Sequence, residues 1–371
     1  MKIIFHLNSM DRGGAQHVVS VLSGKLSQAG HEIIIATQWY SEDEYPLERS
    51  VRRVHVGLTE ADDKAGRIGK AFIRLFRLRK CIKELKPDLV ISFCAKANYR
   101  SAFSLIGMKT PLIVSVRNNP VEDYAGHFIS NLIMEKKAMG CVFQTPDAMS
   151  FFSKSFQNRS RVIFNPLDEA YLKAAKDLDL QTITRSKKIV NVGRIDRQKN
   201  QLLLLQAFKT VADKYPEHTL EIYGDFQDKE LLKQLKDYAS TNGISSRVFF
   251  MGTANNLWEK IKDAALFVLS SDYEGMPNAL IEAMALGIPS ISTDCPCGGS
   301  GMLIEEGKSG ILVPVGDISA LAKAMDSVLS DDSLAETLSR NATGIIHQVD
   351  PDKICKEWTD FIEEKTGGTR L

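Results

Sequence analysis

Four side chains in the second half of the chain have the types and the spacing to act together on one ligand. Arg194 and Lys199 lie in one short segment, residues 193–200, directly after a β-branched run. Glu274 and Glu282 are eight positions apart, one before and one after a proline that suits a helix start. Two cations in one turn can hold a diphosphate, and carboxylates accept hydrogen bonds from sugar hydroxyls. The pattern indicates a site for a sugar nucleotide.

A predicted helix supplies a third element of this site. The apolar segment 279–286 is preceded by Pro277 and followed by Gly287, which are start and stop signals for a helix. Backbone N–H groups at a helix N-terminus favour a phosphate. In this segment they belong to Asn278, Ala279 and Leu280. Glu282 lies on the same helix, where the alternative is a solvent-facing or internally paired carboxylate.

The first half has one candidate phosphate contact and no metal motif. Gly13 and Gly14 follow the run 2–8, and a glycine pair before a helix lets the backbone approach an anion. A plain tight turn is the alternative. The three-glycine spacing of a dinucleotide fingerprint is absent from this turn, which disfavours a nicotinamide oxidoreductase. The six cysteines include no CxxC pair, so the sequence predicts neither a metal site nor a disulfide framework.

The elements that must position these residues alternate between short β-branched runs and helical-period segments, which is typical of parallel α/β sheets. Six strands are predicted in each half, which indicates two similar domains of Rossmann type. The strand segments are 2–8, 31–37, 87–93, 111–117, 140–145 and 161–165, then 187–193, 218–224, 247–252, 265–270, 288–293 and 310–314. The predicted domains are 1–165 and 187–345, joined by a linker at 166–186 and followed by helical residues 346–371.

Composition and charge restrict the class of protein. With 371 residues, 44% hydrophobic and 25% charged, the chain should bury a core in each of two domains. The net charge of +1 argues against a nucleic-acid partner, although residues 1–165 hold 24 Lys and Arg against 15 Asp and Glu. No secretory leader and no apolar run long enough to span a membrane is evident, and unpaired cysteines fit a reducing compartment. These features predict a cytoplasmic protein.

Residues 64–86 carry nine cations and one acid, Glu84. Four of the cations recur at three and four residues and so share one helical face: Arg67, Lys70, Arg74 and Arg77. This pattern is typical of a helix attracted to anionic lipid headgroups. The apolar residues Ile68, Phe72, Leu75 and Ile82 are expected to pack on the sheet, so the basic face alone is predicted to touch the membrane.

These features together resemble the retaining glycosyltransferases of family 4. The resemblance spans most of the chain and is sharpest over residues 187–316, where the EGxxxxxxEAMAxGxP pattern holds both glutamates. It implies the GT-B fold, an α/β architecture of two Rossmann-like domains whose parallel sheets face each other across a central cleft. In that arrangement residues 1–165 would bind the acceptor and residues 187–345 the donor, and the last helix would cross back to the first domain.

The resemblance also implies roles for the candidate residues. Arg194 and Lys199 would bind the donor diphosphate and stabilise charge on the leaving group. Glu274 would hold the transferred sugar and Glu282 the nucleotide ribose. Gly14, with Gly13, would lie under the diphosphate. Transfer would proceed with retention and without a metal or any cofactor beyond the nucleotide sugar.

The expected activity is transfer of a hexose or N-acetylhexosamine, from a UDP-sugar by preference, to a lipid-linked or polysaccharide glycan at the inner face of the cell membrane. Asn200 stands where a glycine is common in the family, and Arg117 replaces a common acceptor-side histidine. Arg117 is therefore a candidate contact for an anionic group. A sugar-nucleotide epimerase of the same fold and a non-catalytic subunit that binds sugar nucleotide or membrane are the alternatives.

Overall fold

The computed structural model describes residues 1–41 and 43–367 and separates into two compact units. Residues 1–166 and the C-terminal residues from 351 form the first unit, and residues 167–350 form the second. Each unit contains one parallel sheet with helices on its faces. The predicted fold class, two α/β domains of Rossmann type, is confirmed.

The first unit is built on a seven-stranded sheet in the order β3-β2-β1-β4-β5-β6-β7, and every pairing is parallel. The strands are β1 (Lys2–His6), β2 (Glu32–Thr37), β3 (Arg52–His55), β4 (Leu89–Phe93), β5 (Leu112–Ser115), β6 (Gly140–Phe143) and β7 (Arg161–Val162). Its helices are α1 (Gly14–Gln28), α2 (Arg67–Leu85), α3 (Ala95–Ser104), α4 (Pro120–Tyr124), α5 (Phe128–Lys137), α6 (Pro146–Ser150), α7 (Lys154–Gln157) and the final helix (Pro351–Thr366).

The second unit has a six-stranded parallel sheet in the order β10-β9-β8-β11-β12-β13. The strands are β8 (Lys188–Val192), β9 (Thr219–Tyr223), β10 (Val248–Gly252), β11 (Leu266–Leu269), β12 (Ser290–Thr293) and β13 (Ile311–Val313). The helices are α8 (Glu169–Asp177), α9 (Gln201–Ala212), α10 (Lys229–Thr241), α11 (Leu257–Ile261), α12 (Asn278–Ala285), α13 (Gly299–Leu303), α14 (Ile318–Ser330), α15 (Asp332–Ala342) and α16 (Ile346–Val349). The final helix, Pro351–Thr366, is α17.

All twelve predicted strands form at the predicted positions, because both faces of a parallel sheet are covered and its strands read as continuous apolar runs. Strand β3 was missed. Its sequence, RRVH, carries cations at an exposed sheet edge, where charge is tolerated and the apolar signal is lost.

The segment 166–186, predicted as a linker, differs from that description. It contains α8, whose Tyr171 and Ala174 are buried, and α8 packs against α12 of the second unit. Leu180 lies against Gly287. The second unit therefore begins at residue 167 and continues to residue 350 rather than 345. The polar exposed face of α8 hid this packing in the sequence. The crossing-back helix is α17, which packs on α1 in the first unit.

The strand order locates the position in each sheet where a ligand is expected. In open parallel sheets, ligands bind at the carboxyl ends of the strands where the order reverses. In the first unit this point lies between β1 and β4, and in the second unit between β8 and β11. The loops after β8 and β11 carry Lys199 and Glu274, and the loop after β1 carries Gly13 and Gly14.

Candidate active site

Lys199 and Glu274 meet at the switch point of the second unit. The Lys199 Nζ atom is 2.5 Å from Glu274 Oε1, and the Ser271 hydroxyl donates to the same oxygen at 2.6 Å. The Glu274 side chain is 8% exposed and that of Lys199 is 19% exposed. Oε1 thus has two donors, whereas Oε2 has no hydrogen-bond partner among the residues that the structure describes. A buried carboxylate with one open oxygen can accept a hydrogen bond from a substrate hydroxyl.

A network between the two loops holds this pair in place. The Gln198 side chain donates to the Tyr273 carbonyl at 2.8 Å, and the Asp272 N–H donates to the Gln198 carbonyl at the same distance. Asn200 donates to Asp272 Oδ1 at 2.7 Å and caps α9 by accepting from the Leu203 N–H. The two loops are thereby fixed to each other before any ligand arrives.

The backbone at Asn200 explains the family's preference for glycine there. Asn200 has φ 44° and ψ 51°, in the left-handed region where glycine is strain-free. Asparagine is among the few other residues that tolerate this conformation. Its side chain then adds the cap on α9 and the bond to Asp272, neither of which a glycine could make. Asparagine in place of glycine at position 200 therefore keeps the left-handed backbone conformation that the loop before α9 requires.

The loop after β12 supports Glu274 from another side. The Glu274 N–H donates to the Pro296 carbonyl at 2.9 Å. A Cβ atom on Gly299 would lie 1.9 Å from the Gly275 carbonyl oxygen, so a side chain cannot be placed at position 299 without moving this loop. Burial and the nearby Glu274 carboxylate raise the pKa of Cys295 to about 12, which keeps this thiol neutral at physiological pH.

The remaining residues of the second unit that are predicted to bind the donor lie in the loop after β8 and on α12. Arg194 is exposed in the loop after β8, and only its carbonyl, which accepts from Gln201, has a described contact. Glu282 is half-buried on α12, the helix that starts at Asn278 directly after the loop of Glu274. Ala279 lies in the first turn of the same helix.

Leu280 differs from the other residues of that first turn. Its N–H donates to the Pro277 carbonyl at 3.1 Å. The Pro277 carbonyl, at the N-cap of α12, is therefore a partner of this donor within the turn. That the Leu280 N–H faces a phosphate stays a prediction.

In the first unit, the glycine pair forms the start of α1. Gly13 is the N-cap residue in an extended conformation, and its carbonyl accepts from the His17 N–H at 2.9 Å. Gly14 is the first residue of the helix. A Cβ atom on Gly13 would lie 2.7 Å from the Gln16 side chain. The pair thus has the loop-to-helix geometry that brings backbone close to an anion.

Arg117 is a buried cation at the carboxyl end of β5. Its Nη1 atom is 3.0 Å from Asn165 Oδ1, and its guanidinium carbon lies 4.9 Å from the Phe93 ring centroid and 5.8 Å from that of Trp358. Nε and Nη2 are buried with no hydrogen-bond partner among the described residues. Burial lowers the pKa of Arg117 to about 10, so the group remains charged at neutral pH. Two unused donors on a charged group suit an anionic ligand.

The predicted membrane-facing helix, α2, differs from expectation on both of its faces. Ile68 and Phe72 were expected to pack on the sheet, but they are 75% and 66% exposed. Phe76 on the same helix is 69% exposed. Arg77 is engaged by Asp62 and by the Gly57 carbonyl, both at 2.6 Å, and is not available to a lipid headgroup. Ile82 is buried as expected and Leu75 is half-buried, and Leu78 completes the buried face.

The other three predicted membrane-facing cations of α2 are less engaged than Arg77. Lys70 makes a weak ion pair with Asp63 at 3.4 Å, and Arg67 is exposed at the start of the helix. Arg74 is half-exposed. No helix in the described part of the chain is long and apolar enough to cross a membrane.

Ser271 is a site residue that the sequence reading did not select. A serine three residues before a loop glutamate carries no specific signal, although its position just after an apolar strand could have marked it. Asn165, which shares its Oδ1 between Arg117 and Gln144, was likewise missed. Ser271 acquires its role from a contact within its own loop, and Asn165 from contacts with the loops after two other strands.

Comparison with known proteins agrees with this geometry. Residues 176–344 match the family described as glycosyl transferases group 1, and residues 12–170 match that described as Glycosyltransferase Family 4. An uncharacterized glycosyltransferase of Methanocaldococcus jannaschii is 30% identical over 351 residues, which cover 79% of this chain and 84% of the relative.

Two further proteins are similar over nearly their whole length. A Campylobacter jejuni α-1,4-N-acetyl-D-galactosaminyltransferase, named for the acceptor GalNAc-α-(1→4)-GalNAc-α-(1→3)-diNAcBac-PP-undecaprenol, is 28% identical and covers 98% of this chain and 99% of its own. The structure of Anabaena Alr3699/HepE with UDP-glucose has a TM-score of 0.81 at 17% identity, covering 98% of this chain and all of that protein. The second similarity is one of fold.

Proposed function

The chain belongs to the glycosyltransferases of family 4, with the GT-B fold, and from that premise we propose that it transfers a hexose or N-acetylhexosamine, with retention, from a nucleoside-diphosphate sugar to a lipid-linked or polysaccharide glycan. The observation that carries the proposal is the Lys199–Glu274 pair, with an open carboxylate oxygen beside a cation at the switch point. A UDP-sugar is the favoured donor, since the Anabaena protein of this fold was solved with UDP-glucose.

In the proposed reaction, each group of the pair has a separate task. Glu274 accepts a hydrogen bond from a hydroxyl of the transferred sugar through Oε2, while Lys199 and Ser271 hold Oε1. Lys199 has three N–H donors, so its remaining two can face the diphosphate. As the bond from the anomeric carbon to the phosphate oxygen breaks, negative charge grows on the phosphate. The acceptor hydroxyl oxygen bonds to the same face of that carbon, and its proton passes to the departing phosphate oxygen. Lys199 and Arg194 stabilise the negative charge without a metal ion or another cofactor.

A transfer assay tests the proposal directly. A panel of nucleotide sugars is first screened by thermal shift, because a ligand that binds the native state raises its midpoint. The donor that binds is then incubated with an undecaprenyl-diphosphate glycan, and the anomeric configuration of the product is read by NMR. A product with retained configuration, formed also in the presence of EDTA, is expected. An inverted product or complete loss of transfer in EDTA would contradict the mechanism.

The same assay separates the alternatives. An epimerase would convert the donor sugar without an acceptor, whereas a non-catalytic subunit would bind the donor and yield no product with any acceptor. We favour transfer over simple binding because Arg194, Lys199 and Glu274 bring both charge types to one sheet edge.

Replacing Glu282 with alanine is expected to weaken donor binding about tenfold, the loss of roughly one charge-assisted hydrogen bond to the ribose. Isothermal calorimetry with the donor measures the dissociation constant. Glu336→Ala is the control, since Glu336 lies on α15 in an exposed ion pair with Arg340. Equal dissociation constants for Glu282→Ala and the native protein would remove Glu282 from the site.

On the acceptor side, we propose that Arg117 contacts an anionic group such as a diphosphate. Its two nitrogen atoms without a hydrogen-bond partner among the described residues and its position at the carboxyl edge of the sheet support this assignment. The Campylobacter relative is named for an undecaprenyl-diphosphate acceptor, which carries such a group. The proposal for this chain is therefore an acceptor of the same chemical class.

We further propose that the first unit binds the cytoplasmic surface of an anionic membrane through α2. Ile68, Phe72 and Phe76 recur every four residues and form an exposed apolar stripe. Arg67 and Arg74 lie on the same helix and can reach lipid phosphates. Apolar side chains flanked by cations are the features of helices that lie in the bilayer interface. The proposed contact thus combines both faces, whereas the sequence favoured the basic one alone.

The triple substitution Ile68→Ser, Phe72→Ser and Phe76→Ser is expected to lower the affinity for vesicles containing phosphatidylglycerol by about 100-fold or more, because three apolar side chains no longer leave water. Co-sedimentation with such vesicles measures the binding. Phe249→Ser with Met251→Ser on the second unit is the control, as these apolar residues are also exposed, at 42% and 47%. Undiminished binding by the triple variant would rule out α2 as the contact.

A further inference from the structure

Two aromatic side chains at the carboxyl edge of the first sheet project into solvent. Trp39 and Tyr40 come just after β2 and are 45% and 56% exposed. Removing a large apolar side chain from water is worth about 2 kcal/mol of free energy. Two adjacent rings at this exposure therefore leave apolar surface in water that a ligand could cover. The carboxyl edge of a parallel sheet is also where ligands bind. The location makes a ligand contact a better explanation than chance exposure.

Tyr40 is held on one side by strand β3. Arg53 and His55 are two positions apart on this strand, so their side chains point to the same face. The Arg53 guanidinium carbon is 4.1 Å from the Tyr40 ring centroid, and the His55 ring stacks on it at 5.7 Å with an angle of 21°. These contacts support one side of the Tyr40 ring, and the exposed fraction of the ring faces solvent.

Arg53, which contacts the Tyr40 ring, is held in a partly buried ion pair with Glu44. The side chains of Arg53 and Glu44 are only 15% and 16% exposed, and Arg53 donates to Glu44 Oε1 at 2.8 Å. This hydrogen bond lowers the pKa of Glu44, which keeps the pair ionised at neutral pH. Arg53 also donates to the Trp39 carbonyl at 3.2 Å. The segment of Trp39 and Tyr40, called the aromatic segment below, is thus held in place by β3. A site that is already fixed loses little conformational entropy when it binds a ligand.

The aromatic segment is also bonded to the end of β1. The N–H groups of Gln38 and Trp39 donate to the Asn8 carbonyl at 2.7 and 3.2 Å. Residues 8–13 lead from there to the glycine pair. Further along the same loop, Asp43 forms an exposed ion pair, with its Oδ1 2.6 Å from Arg12 Nε. The loop that carries the two exposed rings thus also carries groups that can donate and accept hydrogen bonds.

We propose that Trp39 and Tyr40 form a stacking platform for a sugar ring of the glycan acceptor. The C–H faces of a pyranose pack on aromatic rings, while its hydroxyls need donors and acceptors at the rim, and this site offers both. A sugar of the acceptor is the ligand because Glu274, the proposed contact of the donor sugar, lies in the second unit, and the only groups of the first unit assigned to the donor are Gly13 and Gly14, at its diphosphate. The inference rests on the proposed function, which takes the acceptor to be a glycan.

Kinetics of ring-deleting and ring-preserving variants test the platform. Trp39→Ala and Tyr40→Ala are expected to raise the KM for the glycan acceptor about tenfold or more, while the KM for the donor stays within twofold. Trp39→Phe and Tyr40→Phe keep a ring and should retain most of the affinity. Phe249→Ala, which removes an exposed ring from the second unit, is the control. An unchanged acceptor KM, or a raised donor KM alone, would overturn the platform.

A binding experiment without donor separates the platform from the proposed reaction. The protein has three tryptophans, Trp39, Trp258 and Trp358, which 5-fluorotryptophan labelling turns into three ¹⁹F NMR signals. Adding a free α-linked disaccharide of N-acetylgalactosamine should shift the signal that Trp39→Phe removes. If this shift occurs and no transfer is found, the platform stands and the proposed function fails. If transfer occurs without the shift, the function stands and the platform fails.

Discussion

Replacing Lys199 with alanine is expected to lower the transfer rate by about 1,000-fold, because the cation that stabilises charge on the departing diphosphate is lost. The substitution should also destabilise the second unit by roughly 3 kcal/mol, since it leaves the Glu274 carboxylate, 8% exposed, without its charged partner. The measurements are kcat with saturating donor and acceptor and the midpoint of denaturant unfolding.

Lys214→Ala provides a matched control for this variant. Lys214 also lies 2.5 Å from a carboxylate, that of Asp326, but the two side chains are 58% and 39% exposed. Exposed ion pairs contribute little to stability, so this variant should unfold near the native midpoint and retain full activity. If Lys199→Ala and Lys214→Ala had the same small effect on kcat, Lys199 would have no part in the reaction.

Replacing Glu274 with glutamine is expected to reduce transfer by about 100-fold or more, while the fold is kept. The amide has nearly the same shape and can still accept from Ser271, but it removes the negative charge beside Lys199. It is also a weaker acceptor for the sugar hydroxyl. The measurement is kcat/KM for the donor, together with a thermal unfolding curve to show that the unit remains folded.

Glu305→Gln is the control for this change, since Glu305 forms an exposed ion pair with Lys308. The double variant Lys199→Ala with Glu274→Gln should lose far less transfer activity than the product of the fold-losses in the two single variants, because both residues act as one unit. Fully multiplicative losses would indicate that the two side chains act on separate ligands, contrary to the contact between them.

Residues far apart in sequence acquire a common function only through the strand order. Lys199 and Glu274 are 75 positions apart and meet because β8 and β11 are neighbours in the sheet. The sequence marked both residues from their types and their positions after predicted strands, and the resemblance to a family added their roles, but it did not show that the two side chains touch. Ser271 was not selected at all, as its hydroxyl matters only for its distance to the same carboxylate.

The sequence by itself determined the strands and the loops that hold the candidate site. Local patterns suffice there, because buried parallel strands are continuous apolar runs and helix boundaries carry glycine and proline. The same patterns failed at α2, where an apolar stripe was assigned to the core. A single helix can present several faces, and only packing decides which of them is covered.

Burial and partners were decided by the tertiary structure. The sequence marked Arg117 as a candidate contact for an anion, but only the structure shows that it is buried against two aromatic rings with two nitrogen atoms unused. Trp39 and Tyr40 lie beyond the predicted strand 31–37 and were not selected from the sequence, whereas in the structure β3 contacts the Tyr40 ring and the Trp39 carbonyl. The physical reason is the same in each case. Residue type sets what a side chain can do, whereas its solvation and its neighbours, contributed by distant segments, set what it does.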